Sequence, residues 1–295
     1  MYIIIGCGFL GSYLLQTLSD NVKEQPIIAT VRNLDHVLPI KNVEWVKCDV
    51  LNHGDLTRLA DRCGEGPKTV YYFAAAHNID EVYLDPKAAR RVNIEALKTF
   101  FQTTTNIDKL FFASTDCVYG ENDKDHLAFS EDSPTNPLNE YGKQKLEAEQ
   151  IVRSNGFTVL RLPLMIGPSL FPQKQHFYDE ICEKLRARQS VEMIDGLKRS
   201  LLSYQKAADL LFRLSCVSKA QLRSVINVCS DESFTKYEIG CLLAEKMQAS
   251  KDLVCRMTES EGKKFFKDAR ASSTVMDNSL LKRTLGISSV SWEKI

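Results

Sequence analysis

Tyr141 and Lys145, in the run Tyr141-Gly142-Lys143-Gln144-Lys145, stand four residues apart and fall on one face of any helix that contains them. A phenol with an ordinary pKa of about 10 exchanges protons poorly near neutrality. An ammonium group beside it favours the phenolate and lowers that value. The pair is suited to general acid/base work on a carbonyl or an alcohol. The spacing alone is weak evidence, because Tyr83 and Lys87 share it. There Pro86 interrupts the spacer and Lys87 falls at a helix start, so that copy is set aside. Thr115, which closes an apolar run, adds a hydroxyl able to hydrogen-bond a reacting oxygen.

Groups this far apart in sequence meet only on a regular framework. Short apolar runs predict strands at Tyr2–Ile5, Ile27–Val31, Val43–Lys47, Thr69–Phe73, Lys109–Ser114 and Thr158–Leu162. Helical segments lie between them at Leu10–Leu18, Gly54–Cys63, Pro86–Thr103 and Tyr141–Ser154. Strands alternating with helices imply crossover units and a parallel sheet covered on both faces. The polar stretch from Gly120 to Asn139 reads as a long loop, of the kind that lines sites. After about Gly167 the rhythm loosens: a loop with Pro168 and Pro172, helices at Gln175–Arg188 and Lys206–Cys216, a strand at Ser224–Val228, then loop and helix over Ser233–Ser250. Two short elements follow, around Asn278–Leu285 and Trp292.

Gly6-Cys7-Gly8-Phe9-Leu10-Gly11 is a GxGxxG motif directly after the first strand and directly before a helix. The first glycine permits the tight turn, the second lets backbone approach a pyrophosphate, and the third lets helix and strand pack closely. The helix N-terminus then presents free N–H groups to the phosphates. In this context the motif predicts a dinucleotide site built from Gly6, Gly8, Phe9, Leu10 and Gly11. The second strand ends at Arg32 where NAD-specific sites carry an acid, and a guanidinium there can pair with a 2′-phosphate, which favours NADP(H) and leaves NAD(H) open. Asp49-Val50 follows the third strand, at a corner that contacts adenine in this architecture; Asp49 as a helix cap is the alternative. Ala74, Ala75 and Ala76 leave room at the end of the fourth strand for ribose and phosphates.

Composition narrows the class. Lysine plus arginine equals aspartate plus glutamate at 38 each, which argues against a general nucleic-acid binder. The nine cysteines form no CxxC pair, so neither a disulfide framework nor a zinc site is expected, and a reducing, cytoplasmic compartment fits. No apolar run is long enough to predict a membrane span, and the apolar N-terminus, interrupted by three glycines, reads as folded structure rather than a leader. The expected fold is α/β: a doubly wound parallel-sheet Rossmann domain over residues 1–166, completed by roughly 199–228, with a smaller C-terminal α+β substrate-binding portion from 167–198 and 229–295.

Taken together the motifs resemble the extended short-chain dehydrogenase/reductases, and among them the dTDP-4-dehydrorhamnose reductase-like proteins. The resemblance spans nearly the whole chain. It runs through Ile5-Gly6-Cys7-Gly8-Phe9-Leu10-Gly11-Ser12, Val92-Asn93, Ala113-Ser114-Thr115-Asp116-Cys117-Val118-Tyr119-Gly120, Pro137 to Glu149, Leu160-Arg161-Leu162-Pro163, and Asp277 to Glu293. It implies catalytic roles for Thr115, Tyr141 and Lys145, with Lys145 also holding the nicotinamide ribose, and a structural role for Asn93. It further implies a nucleotide-sugar substrate contacted by Arg199 at the diphosphate, with Asp116 or Cys117 as a second acid/base in an epimerase or dehydratase. Some relatives act as non-catalytic, cofactor-binding regulatory subunits, and relatives often form homodimers through the helices at 87–103 and 143–154. The glycine motif is one residue shorter than this group's usual form, Leu164 stands at a frequent tryptophan position, and Lys206 at a frequently acidic one.

Overall fold

The computed structural model describes residues 1–35, 37–122, 128–171 and 173–293. The chain runs β1 (Tyr2–Ile5), α1 (Phe9–Asn21), β2 (Ile27–Val31), β3 (Val43–Lys47), α2 (His53–Cys63), β4 (Lys68–Tyr72), α3 (Ile79–Leu84), α4 (Pro86–Arg90), α5 (Ala96–Thr103), β5 (Ile107–Thr115), α6 (Glu140–Ser154), β6 (Thr158–Leu162) and β7 (Leu164–Ile166). It continues through α7 (Phe177–Arg186), β8 (Val191–Ile194), β9 (Lys198–Ser203), α8 (Tyr204–Cys216), β10 (Val225–Asn227), β11 (Ser233–Phe234), α9 (Lys236–Lys246), β12 (Val254–Met257), α10 (Glu259–Lys263), β13 (Ser273–Thr274) and α11 (Ser279–Leu285). Residues 123–127 of the long polar loop, and Pro172, lie outside the described residues.

Seven parallel strands form the main sheet in the order β10-β6-β5-β4-β1-β2-β3. The strand order reverses at β1, between β2 and β4, and the carboxyl ends beside that reversal form the crevice where such sheets take ligands. Alternation along β1 sorts the core into two layers. Tyr2 and Ile4 pack with Leu14, Leu18, Leu211 and Leu214 of α1 and α8, whereas Ile3 and Ile5 pack with Leu56, Leu97, Phe100 and Val152 of α2, α5 and α6. Burial on both faces is why the strands read as nearly unbroken apolar runs.

The helix expected over Pro86–Thr103 is three pieces. α4 starts at Pro86, capped by the Asp85 carboxylate accepting from the Ala88 N–H at 2.9 Å, and a π-helical turn over Arg91–Glu95 separates it from α5. The turn faces Asn93 inward: its side chain accepts from Ala76 N–H and donates to Ala76 C=O and to the Gln144 amide oxygen, fixing the loop after β4.

The C-terminal portion has its own sheet, β11-β9-β13 with β7 paired to β9, and a separate β8–β12 pair. Beneath them Ile166, Leu185, Val191, Leu201, Leu243 and Trp292 share a core. Arg199, Ser200 and Leu201 thus belong to a strand, where no strand is expected from the sequence. β7 and β9 lie in this second sheet, while β10 completes the main one. Among the described residues no helix is long and apolar enough to cross a membrane, and all nine cysteines are unpaired.

Candidate active site

The turn after β1 is built around two different glycines. Gly6 has φ +83°, and a Cβ on it would lie 2.7 Å from the backbone N and Cα of Ala74, so β1 and β4 approach too closely there for any side chain. A Cβ on Gly8 would meet no atom within 4 Å. Gly8 also caps α1 without a side-chain hydrogen bond, leaving the helix N-terminus open toward that space. Gly11 packs on Cys7 and Ile4, with 3.3 Å from its would-be Cβ to the Cys7 Sγ. The Thr30 hydroxyl braces the turn by accepting from Gly6 N–H at 2.9 Å. An open glycine at an uncapped N-terminus of a 13-residue helix fits a dinucleotide pyrophosphate. Phe9 meets His176 and Tyr204, with ring centroids 5.1 and 6.0 Å apart.

Around the same crevice, Arg32 is exposed at the end of β2, and Ala74, Ala75 and Ala76 are half-buried after β4. Asp49 does not cap α2. Asn52 does, accepting from Asp55 N–H, while the Asp49 carboxylate accepts from Leu51 N–H at 3.0 Å and shapes the turn that carries Val50.

Tyr141 reaches the end of β5 because α6 begins hard against that strand. Asn139 caps α6 by accepting from Gly142 N–H at 2.8 Å. A Cβ on Gly142 would lie 2.7 Å from the Cys117 carbonyl oxygen, so only glycine allows this approach. The Tyr141 phenol, half-buried, lies near the Thr115 hydroxyl. Burial raises the phenol's pKa, and nearby Cys117 and Asp116 raise it further, against Arg199 and the Thr115 hydroxyl. Desolvation thus sets the direction of the phenol's shift, opposite to the lowering expected from an ammonium neighbour and a nicotinamide's positive charge together.

Lys145, one turn further on, is 2% exposed, with its Nζ 4.0 Å from the centroid of the Phe112 ring. Burial brings its ammonium group down to about 7, opposed by Glu149 a further turn along. Glu149 is itself fully buried, accepting from both sides of the Arg161 guanidinium (2.7 to 3.3 Å) and from the Ser114 hydroxyl. Neither Glu149 nor Arg161 is singled out from the sequence, although an arginine inside the apolar strand Thr158–Leu162 is the available signal for a buried pair.

Asp116 and Arg199 do come together, but on each other. Asp116 is fully buried, and its carboxylate accepts from the Arg199 guanidinium on both oxygens (Nε at 2.8 Å), from Thr274 at 2.6 Å and from Thr115 at 3.2 Å. Both of its oxygens are thus occupied as acceptors. Burial also raises the pKa of the neighbouring Cys117 thiol, Asp116 adding to the effect, which leaves no ready thiolate. Two further cations, Lys236 and Arg270, were missed from the sequence and lie near Arg199. Burial, helped by Arg199 and Arg270, pushes the Lys236 ammonium down, and Arg270 pairs with Asp80 at 2.9 Å and stacks over Phe266. Lys236 forms no hydrogen bond or ion pair among the described residues.

The fold is similar to that of solved structures over nearly the whole chain. A UDP-glucose 4-epimerase of Thermotoga maritima with UDP-glucose superposes with a TM-score of 0.81 at 18% identity, covering 98% of this chain and 94% of that one. A UDP-glucuronic acid 4-epimerase of Bacillus cereus, in complex with UDP-glucuronic acid and NAD, gives 0.80 at 21% identity, covering 99% and 95%. In sequence, the methionine adenosyltransferase 2 subunit beta of Danio rerio is 26% identical over 220 residues, 73% of this chain and 66% of that protein. The human dTDP-D-glucose 4,6-dehydratase is 26% identical over 187 residues, 57% of this chain and 52% of that protein. These alignments span about half to two thirds of the curated relatives' own length. The family model described as the RmlD substrate binding domain matches residues 2–295, and the chain belongs to that family within the extended short-chain dehydrogenase/reductases.

Proposed function

We propose that the protein is an NADP-preferring oxidoreductase that reduces a keto group on a nucleotide-linked sugar. The observation that carries this reading is the meeting of the Tyr141 phenol and the Thr115 hydroxyl at the carboxyl end of β5, on the sheet edge that bears the open Gly8 turn. A bound nicotinamide cofactor would supply the hydride. Gly8, Leu10 and the N-terminus of α1 would hold its pyrophosphate, Arg32 a 2′-phosphate, and Lys145 its ribose. Tyr141 gives its proton to the substrate's carbonyl oxygen, and Thr115 steadies that oxygen as negative charge develops on it. A phenol kept protonated by its burial suits proton delivery.

The commitment of Asp116 to Arg199 and Thr274 favours reduction over dehydration, which needs a second acid/base beside the phenol. It also leaves Arg199 less free for a diphosphate than Lys236, whose ammonium group lies near enough to Arg199 and Arg270 to feel their charge. The test is oxidation of NADPH by a panel of keto-sugar nucleotides. Turnover that falls about 100-fold or more in Tyr141→Phe, with NADPH affinity retained, supports the reading. Conversion of a sugar nucleotide with NAD bound throughout and no net oxidation of cofactor replaces it by epimerisation or dehydration.

A second reading is favoured by the six relatives named as the beta subunit of methionine adenosyltransferase 2, at 24–26% identity. In that reading the chain binds NADP and serves as a subunit of another enzyme. Tight NADP binding without turnover of any carbonyl substrate would select it.

A further inference from the structure

The amino ends of β5, β6 and β10 lie at the opposite edge of the main sheet from Tyr141, and a cavity of about 200 Å³ opens there. Four cations line it: Lys109 on β5, Arg153 in the last turn of α6, and Lys219 and Arg223 in the segment before β10. One acid, Asp108, lines it with them and forms no ion pair with any of the four. Lys109 is engaged, donating to the Ser215 carbonyl at 2.7 Å. The side chains of Arg153, Lys219 and Arg223 form no hydrogen bond or ion pair among the described residues. The Lys219 Nζ stands 5.5 Å from the centroid of Phe157, whose ring gives the cavity an apolar wall.

A cation at the end of α6 is accounted for by the helix dipole. Two further unengaged cations converging on the same concavity are not, least of all in a chain whose charges balance at 38 of each sign. Like charges gathered without counter-charge repel, and an anion relieves that repulsion. Guanidinium groups match phosphate oxygens in paired hydrogen bonds, so two arginines and a lysine suit phosphate better than a lone carboxylate. The volume is below the roughly 300 Å³ at which pockets begin to take drug-sized ligands, which excludes a dinucleotide. We propose that this cavity is a binding site for a small anion carrying phosphate groups, separate from the cofactor crevice. The site lies on the elements that end at the catalytic candidates: β5 ends at Thr115, and α6, about 22 Å long, begins beside Tyr141.

The proposal is independent of the reductase reading and is tested by titration calorimetry with inorganic pyrophosphate, with and without saturating NADP. Pyrophosphate should bind in both cases. Arg153→Glu combined with Arg223→Glu, both at exposed positions, should weaken it by about tenfold or more. NADP affinity and the melting temperature without pyrophosphate should stay as in the parent. Phenyl phosphate separates the two sources of such a group. Tighter binding than inorganic phosphate assigns an ester resting on Phe157, and equal binding assigns free phosphate. Absence of binding at millimolar pyrophosphate, affinity unchanged by the double substitution, or complete displacement by NADP would each overturn the site. Failure of the reductase reading would show instead as absent turnover, with the pyrophosphate result unaffected.

Discussion

Lys145 shows what a buried ammonium group costs its protein. Its pKa falls from an ordinary value near 10.5 to about 7 because burial penalises the charge, and Glu149 recovers only part of it. Between those two values the unfolded chain binds a proton that the folded chain does not, so stability rises with pH across that window. The penalty is fully present below about 7 and fades as pH approaches 10.5. Lys145→Met removes the titrating group and keeps the volume. The variant should melt higher than the parent at pH 6, with the difference shrinking steadily toward pH 10, while any reductase activity is lost. Calorimetric melting across that range checks the sign, and a variant less stable at pH 6 would mean that Glu149 holds the ammonium far more strongly than its own pairing with Arg161 suggests. The phenol is displaced by the same physics in the opposite chemical sense: burial raises the pKa of Tyr141 while it lowers that of Lys145, in each case favouring the neutral form.

At the scale of elements, the main sheet was legible because a strand buried on both faces must be apolar throughout, and each of its first six strands lies within a residue or two of its expected bounds. The second sheet was not. β9 reads Lys198-Arg199-Ser200-Leu201-Leu202-Ser203, and its polar half is satisfied by partners far off in sequence, Asp116 and Thr274 among them. No local pattern encodes such pairing. The catalytic candidates were legible through spacing and context, whereas Glu149, Lys236, Arg270 and Thr274 depend on tertiary placement. The β1–α1 turn separates two functions that the glycine motif merges. Gly6→Ala should destabilise the fold, by about 1–3 kcal/mol for a positive φ alone and more with Ala74 in the way. Gly8→Ala meets no protein atom, so it should leave the melting temperature nearly unchanged and weaken dinucleotide binding instead. Paired melting and NADP titrations on the two variants read this directly. Equal loss of stability in both would show that the turn does not reserve space for a ligand at Gly8.

Across the whole molecule, the two sheets are joined at one buried ion pair. Asp116 follows the end of β5 in the main sheet, Arg199 comes from β9 and Thr274 from β13, so the carboxylate draws three strands from two sheets onto one point beside Tyr141. Desolvating both charges limits the net stability of such a pair, but removing one partner leaves the other buried and uncompensated, at about 3–5 kcal/mol. Arg199→Met should therefore lower the melting temperature markedly, and pairing it with Asp116→Asn should recover much of the loss, since the second change removes the stranded charge. A residue kept only to hold a ligand behaves otherwise: its loss leaves the melting temperature alone and raises KM. Measuring both quantities on the two variants separates the roles, and because the Arg199 side chain is one quarter exposed, a combined result has a definite form. The stability loss should be rescued by Asp116→Asn, whereas any loss of substrate affinity should persist in the double variant. Full retention of stability in Arg199→Met would mean that the pair does not join the two sheets, and the geometry that keeps Asp116 from acting as an acid would lose its anchor.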